Sequence, residues 1–155
     1  MSGRIDKRLK ELGIELPKLA NPVANYVPYV ITGNLLFISG QITLLDGEIK
    51  YKGKVGKDIG IEDAYKAARL CGLNVLAHAR AACGGDLDRI ERCVKLVGFI
   101  NCAPDFYDHP KVVNGASDLM VDILGEAGRH ARSAVASPAL PFNVAVELEA
   151  VFEIA

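Results

Sequence analysis

Arg132 and Glu147 have the residue types and the spacing to act together on a small acid. They lie in two β-forming segments on either side of the Leu140-Pro141 turn, equally far from a centre between residues 139 and 140. If these segments pair as an antiparallel hairpin, the arginine and the glutamate become cross-strand partners. A guanidinium beside a carboxylate can bind a small acid and activate a water molecule. The simpler interpretation of the same spacing is a cross-strand ion pair on a solvated sheet face.

The composition narrows the classes of protein to which this chain can belong. The chain has 155 residues, 50% of them hydrophobic, which suits one domain with one core. Its 18 basic and 19 acidic residues give a formal net charge of -1 without a long run of either sign, so nucleic acid is not expected as a partner. No apolar run approaches the roughly 20 residues that span a bilayer, and the N-terminus has no apolar signal core. We therefore expect a cytoplasmic protein with no membrane partner.

The cysteines and histidines do not have the spacing of a metal site. No C-x-x-C motif is present, and each cysteine lies among apolar neighbours, so we expect four buried, reduced thiols. The histidines are far apart in sequence, with no partnering cysteine or carboxylate at ligand spacing, so no metal is predicted. These residues are Cys71, Cys83, Cys93, Cys102, His78, His109 and His130.

The spacing of apolar residues predicts an α+β protein without internal linkers or repeats. The strongest helix spans residues 61–82, where small and apolar residues recur at steps of three and four. A second helix begins near Asp108 and Pro110 and ends at Gly128. The other predicted elements are a helix over residues 4–12, a hairpin of 25–31 with 35–39, a weak strand at 48–51, a buried strand over 89–102, and the terminal hairpin.

The terminal strand predicts one buried face and one face that is only partly polar. Its even positions are all apolar, as is typical of a strand that packs against helices. The odd positions mix glutamates with Ala145 and Val151, so association with other subunits is a reasonable hypothesis. The even positions are Val144, Val146, Leu148, Ala150, Phe152 and Ile154. The predicted architecture is a mixed sheet with two helices on one face.

Four sequence patches, in the expected order, resemble the RidA/YjgF proteins, also known as the endoribonuclease L-PSP family. The resemblance covers roughly residues 22–155 and leaves residues 1–21 as an N-terminal helical extension. The patches are Asn25-Tyr26-Val27, Ile38-Ser39-Gly40-Gln41, Val113-Asn114, and Ala131-Arg132-Ser133 with Leu140-Pro141 and Val146-Glu147-Leu148-Glu149-Ala150.

The resemblance implies a chorismate-mutase-like α+β fold that assembles as a homotrimer, with sites at the subunit clefts. It also implies hydrolytic deamination of reactive 2-enamine or 2-imino acids, such as 2-aminoacrylate, to 2-keto acids and ammonia without a cofactor. In such a reaction Arg132 would clamp the substrate carboxylate, and Glu147 would activate the water and return a proton to the amine.

The resemblance assigns weaker binding roles to six further residues. Tyr26 would close the cleft, Ser39 and Gly40 would offer backbone at its wall, and Asn114 would contribute a polar contact from the second helix. Ser133 and Ala134 follow the arginine in the same motif. Many relatives have a cysteine at the position of Ala134, so a role of this position through its backbone survives, whereas a role through a thiol is lost.

Two other functions remain open at the level of the sequence. The first is a non-catalytic trimer that binds small carboxylates, and the second is an endoribonuclease, which a near-neutral chain without a basic groove disfavours. Chorismate mutase activity does not follow from a shared fold. Its dianionic substrate would need several clustered cations, and only Arg132 is well placed.

Overall fold

A five-stranded mixed sheet carries two long helices on one of its faces. The structure is a computed structural model that describes residues 3–19 and 24–155. None of the helices in this part of the chain is both long and apolar enough to cross a membrane. The helices and strands are α1 (Arg4–Glu11), β1 (Tyr29–Thr32), β2 (Leu35–Gln41), β3 (Leu44–Leu45), β4 (Glu48–Ile49), α2 (Ile61–Ala82), β5 (Ile90–Asn101), α3 (His109–Leu124), β6 (Ala131–Ser137) and β7 (Val146–Ile154).

The order of the strands across the large sheet is β1-β2-β7-β5-β6, and β3 pairs only with β4. The pairs β1/β2, β2/β7 and β5/β7 are antiparallel, whereas β5 and β6 are parallel. A parallel pair needs a crossover, and α3 supplies it between β5 and β6. The predicted α+β class, with a mixed sheet and helices on one face, is confirmed.

The predicted terminal hairpin is wrong, because β6 and β7 are separated by β5. After the crossover through α3, β6 joins the sheet beside β5 and runs parallel to it. Residues 138–145 then carry the chain to the opposite side of β5, where β7 pairs antiparallel. The turn signals after Ser137 therefore mark a connection across a third strand. Local symmetry about a turn cannot distinguish this arrangement from a hairpin.

The predicted alternation of β7 is confirmed, and it defines the helix face of the sheet. The even positions Val146, Leu148, Phe152 and Ile154 are at most 5% exposed, and they belong to the same core as the buried side of α2. The odd positions point to the other face, which we call the open face. The remaining predicted helices and strands are also present, with ends that differ by a few residues at the first hairpin and at the end of α3.

The N-terminal helix α1 is anchored to the start of β5. The Asp88 carboxylate accepts hydrogen bonds from the backbone N–H groups of Arg4 (2.7 Å) and Ile5 (2.8 Å), which caps the first turn. Ile5 and Leu9 are buried in the common core. The predicted boundary between residues 21 and 22 lies outside the described residues.

One cysteine differs from the prediction of four buried thiols without histidine partners. Cys71, Cys83 and Cys93 are buried, but Cys102 is partly exposed, and its Sγ lies 3.5 Å from Nε2 of His109. Residues 103–108 form a short loop that returns the first residue of α3 to the end of β5. This contact therefore depends on a turn in the chain and not on sequence spacing.

Candidate functional site

Arg132 lies on the helix face of the sheet and is held by α3. It pairs with the buried Leu96 in the register of β5 and β6, so its side chain points toward the helices. Nη1 donates to Oδ1 of Asn114 at 2.8 Å and to Oγ of Ser117 at 3.2 Å. Asn114 and Ser117 are three residues apart and therefore lie on one side of the helix. Within the described residues, Nε and Nη2 of Arg132 donate no hydrogen bond, so this edge of the guanidinium is available to a ligand.

Ser117 and His130 extend the contacts of Arg132. Oγ of Ser117 lies 2.9 Å from Nε2 of His130, and Nδ1 of His130 lies 2.7 Å from the carbonyl oxygen of Gly128. We call Asn114, Ser117, His130 and Arg132 the arginine cluster. The sequence analysis predicted neither Ser117 nor His130 as a site residue. The available signals were the Asn-x-x-Ser spacing on a predicted helix and a histidine two residues before the arginine.

Glu147 lies on the open face, beside a bulge in β2. It pairs with the half-buried Phe99 in the register of β5 and β7. The register of β2 against β7 shifts between Ile38 and Gln41, and Gly40 lies in this bulge. A Cβ atom on Gly40 would overlap Oε1 of Glu147, so the close approach of the carboxylate requires glycine at this position.

The environment of Glu147 favours its neutral form. Burial, and to a lesser degree the negative charge of Glu149, raises the pKa of the Glu147 carboxyl above its usual value. Among residues 3–19 and 24–155, no side chain or backbone group donates a hydrogen bond to this carboxylate. A half-buried carboxylate without partners can hold a water molecule and exchange protons with it.

The residues that follow Tyr26 are hydrogen-bonded to Ser39, beside the bulge. Oγ of Ser39 donates to the carbonyl oxygen of Val27 at 2.8 Å, and the Ser39 N–H donates to the Pro28 carbonyl at 2.9 Å. Tyr26 itself is 58% exposed. We call Ser39, Gly40 and Glu147, which lie at or beside the bulge, the glutamate cluster.

The predicted pairing of Arg132 with Glu147 is wrong within one chain. Arg132 pairs with Leu96 of β5, whereas Glu147 pairs with Phe99, and β5 lies between their strands. Ordinary strand spacing and rise place their Cα atoms about 14 Å apart. Their side chains also point to opposite faces, because Leu96 is buried under the helices and Phe99 is on the open face. They form neither a shared cleft nor an ion pair in the single subunit.

The two residues that follow Arg132 point in opposite directions. Ala134 is half-buried on the helix face, opposite Gly98 of β5, whereas Ser133 is exposed on the open face. The Ser133 side chain is therefore separated from the arginine cluster by the sheet. Because β6 is at the edge of the sheet, part of its backbone is open to a neighbouring molecule.

The part of the chain that the structure describes contains no candidate metal site. No three residues of the types His, Cys, Asp and Glu lie close enough together there to hold an ion. The pair of Cys102 and His109 supplies two donors at most.

Comparison with known proteins shows a family that covers most of the chain. Residues 6–153 match the family described as "YjgF/chorismate mutase-like, putative endoribonuclease", and this match begins inside α1. Protein TCP17 of Trypanosoma cruzi is 45% identical over 154 residues, which cover 99% of this chain and 96% of TCP17.

Two similar solved structures support the same family and fold. The protein Atu1372 from Agrobacterium tumefaciens, of unknown function, is 49% identical, with a TM-score of 0.90 and coverage of 97% of this chain and 92% of that one. A Shewanella oneidensis protein described as a "putative endoribonuclease" is 39% identical, with a TM-score of 0.94 and coverage of 98% and 100%. The expected chorismate-mutase-like fold is thereby confirmed.

Proposed function

Because this chain belongs to the YjgF/RidA family, we propose that it hydrolyses small 2-imino acids and their enamine tautomers to 2-keto acids and ammonia. The observation that carries this proposal is the guanidinium of Arg132, which is anchored through Nη1 while Nε and Nη2 remain available. Two parallel N–H donors match the two oxygens of a carboxylate. The substrate class is therefore a small acid whose reactive carbon is next to its carboxylate.

Glu147 supplies the proton transfers of this reaction. Its carboxylate takes a proton from water as the water oxygen bonds to the imine carbon. The electrons of the C=N π bond move to nitrogen, which then receives that proton from the Glu147 carboxyl. In the resulting carbinolamine the Glu147 carboxylate takes the hydroxyl proton and delivers it to the amino nitrogen. The C–N bond then breaks, and ammonia leaves as the carbonyl of the keto acid forms. The raised pKa of Glu147 suits a group that first accepts and then donates a proton. Alignment contributes most, because such imines already react with water.

We further propose that the active site forms between subunits of a homotrimer. Arg132 and Glu147 point to opposite faces of one sheet, so a single subunit cannot present both to one substrate. The edge position of β6 allows a second copy to approach the arginine cluster. The open face also carries the apolar residues Val30, Phe37 and Val135, which are 53%, 43% and 44% exposed and suit burial against another subunit.

A more distant relative supports a small carboxylate as the ligand. The structure of TdcF from Escherichia coli was solved with bound serine. It is 27% identical to this chain, with a TM-score of 0.62 and coverage of 90% of this chain and 94% of TdcF. Serine has a carboxylate and a nitrogen on the adjacent carbon, as does a 2-imino acid.

The decisive experiment measures keto acid release from 2-aminoacrylate that a lyase generates in the same cuvette. The wild-type protein should accelerate pyruvate formation above the rate in buffer, and the Arg132→Ala variant should not. Absence of acceleration by the wild type would overturn the deaminase. Binding of 2-oxobutanoate in calorimetry without turnover would instead support the non-catalytic carboxylate-binding trimer, and RNA cleavage that requires Arg132 would support an endoribonuclease.

Subunit mixing tests the shared site. Arg132→Ala and Glu147→Gln are each expected to be inactive. After the two variants are unfolded and refolded together at equal amounts, about a quarter of the sites in random trimers should combine an intact arginine with an intact glutamate. Activity near that fraction would support a site between subunits. No recovery, from mixtures shown to contain both variants in one assembly, would contradict it.

A further inference from the structure

We infer that Ser117 and His130 are positioning residues that fix the orientation of the Arg132 guanidinium for the carboxylate of the substrate. The inference rests on the proposed function for the identity of the ligand. The structural argument does not depend on the proposed function, because it follows from the donors and acceptors of three linked hydrogen bonds. These bonds join the guanidinium, through Ser117 and His130, to the backbone of Gly128.

The carbonyl of Gly128 determines which nitrogen of His130 carries the proton. A carbonyl oxygen can only accept, so Nδ1 at 2.7 Å must be the donor. In the neutral ring Nε2 is then an acceptor, and it faces Oγ of Ser117 at 2.9 Å. The position of this carbonyl is itself constrained, since a Cβ atom on residue 128 would overlap the carbonyl of Met120 and only glycine fits.

His130 in turn determines the direction of the Ser117 hydroxyl. A serine hydroxyl can rotate, and its proton can point toward any nearby acceptor. Here Nε2 of His130 accepts that proton, so a lone pair of Oγ remains for Nη1 of Arg132 at 3.2 Å. Without the histidine acceptor, the hydroxyl would be free to turn its proton toward the guanidinium. His130 therefore acts on Arg132 through Ser117.

Two acceptors on one nitrogen hold the arginine side chain in one orientation. Oδ1 of Asn114 is the other acceptor, so Nη1 is bound by two residues on one side of α3. An arginine held by one contact samples several rotamers, whereas the planar guanidinium is fixed once one of its nitrogens is held twice. Nε and Nη2 then form a preorganised edge for a bidentate carboxylate, which lowers the cost of binding.

This arrangement predicts a ligand-specific effect of substitutions at Ser117. Ser117→Ala removes one acceptor and should weaken 2-oxobutanoate binding about ten-fold. The KM for the 2-imino acid should rise by a similar factor with a smaller change in kcat, because the carboxylate is held in both the ground state and the transition state. Ser117→Thr keeps a hydroxyl and should restore most of the affinity.

Substitutions at His130 separate positioning from packing. His130→Gln keeps a side-chain oxygen that can accept from Ser117, and it should retain more affinity than His130→Phe, which fills the space without an acceptor. Matched controls are Asp118→Ala, beside Ser117 on α3, and Arg129→Ala, beside His130. Both control side chains are exposed and lie outside the cluster, so neither substitution should change 2-oxobutanoate binding.

The experiment is calorimetric titration of 2-oxobutanoate into each variant, with side-chain NMR of the Arg132 Nε–H group in the ligand-free protein. We expect a high NMR order parameter for this N–H bond in the wild type and in Ser117→Thr, and a lower one in Ser117→Ala, because the guanidinium then moves more freely. Thermal unfolding checks that each variant is folded. If Ser117→Ala does not fold, the comparison of His130→Gln with His130→Phe tests the same contact.

The outcomes distinguish this inference from the proposed function. Unchanged binding and an unchanged Nε–H order parameter in folded Ser117→Ala and His130→Phe, beside an active wild type, would overturn the positioning role alone. A wild type that neither binds 2-oxobutanoate nor turns over 2-aminoacrylate would overturn the proposed function. A lower Nε–H order parameter in Ser117→Ala would still show in that case that Ser117 orients Arg132.

Discussion

The arginine cluster and the glutamate cluster differ in how much of their environment one subunit provides. In the arginine cluster, Arg132, Ser117 and His130 are linked by hydrogen bonds that end on the backbone of Gly128. In the glutamate cluster, Glu147 is half-buried without a hydrogen-bond donor among the described residues, and its neighbour Gly40 only makes room for it. The group proposed to bind the substrate carboxylate is therefore organised in the isolated chain, whereas the group proposed to transfer protons is left free to interact with water and a ligand.

The backbones that carry the two clusters explain this difference. Asn114 and Ser117 use the regular spacing of a helix, so their contacts with Arg132 follow from the packing of α3 on β6. Glu147 depends on the bulge in β2, an irregularity that brings the backbone at Gly40 close to β7. Regular spacing gives a cluster several hydrogen-bond partners at once, while a bulge exposes one side chain in an unusual position.

Removal of the Arg132 guanidinium is expected to have the largest effect on activity and so gives the strongest test of the arginine cluster. Arg132→Ala deletes both donors to the substrate carboxylate and should lower kcat/KM by about a hundred- to a thousand-fold. The measurement is steady-state pyruvate release from 2-aminoacrylate. Arg129→Ala is the matched control, because Arg129 is exposed and pairs with Glu126 at 3.1 Å. Equal losses in both variants would argue against a specific clamp.

A charge on the open face should dissociate the proposed trimer. The arginine cluster of one subunit would then be separated from the glutamate cluster of the next. Phe37 is 43% exposed, and Phe37→Glu would place a carboxylate where the proposed trimer buries apolar surface. We expect a monomer in size-exclusion chromatography with light scattering, and about a hundred-fold lower activity. Ala81→Glu, on the exposed surface of α2, should leave the assembly intact. A fully active monomeric Phe37→Glu would contradict the proposed shared site.

A methyl group at Gly40 should disturb the glutamate cluster and spare the arginine cluster. The added Cβ of Gly40→Ala overlaps the Glu147 carboxylate, which must then move. We expect kcat to fall at least ten-fold, because the water is no longer aligned. The NMR order parameter of the Arg132 Nε–H bond in the ligand-free protein should not change. Gly60→Ala is the control, since nothing lies within 4 Å of its added Cβ. An unchanged kcat would exclude a role for the close contact.

The smallest expected effect is on stability, and it depends on pH. Because burial raises the pKa of Glu147 in the folded state, its charged form destabilises the fold above the ordinary glutamate pKa. Glu147→Gln should therefore raise Tm by about 2 °C at neutral pH. The difference should disappear as the pH falls below the ordinary pKa of 4.5, where the carboxyl is protonated in both states. A Tm difference independent of pH would contradict this cause.

The patterns within single elements could be read from the sequence. The alternation of β7 predicted which of its residues are buried, and the small and apolar positions of residues 61–82 predicted the longest helix correctly. Both patterns are local, because the periods of strands and helices are properties of consecutive residues. The motif that contains Arg132 and the motif that contains Glu147 were also recognised from consecutive residues, as was the family to which they belong.

Only the tertiary structure decided which of these residues meet. The insertion of β5 between β6 and β7 separates Arg132 from Glu147, and their registers against β5 place them on opposite faces, although equal distances from a turn predict a pair. The crossover through α3 brings Ser117 to His130 and His109 to Cys102, contacts that the spacing along the chain did not predict. The physical reason is that strand order depends on long-range packing of hydrophobic faces, whereas periodicity and turn residues depend on neighbours in the chain.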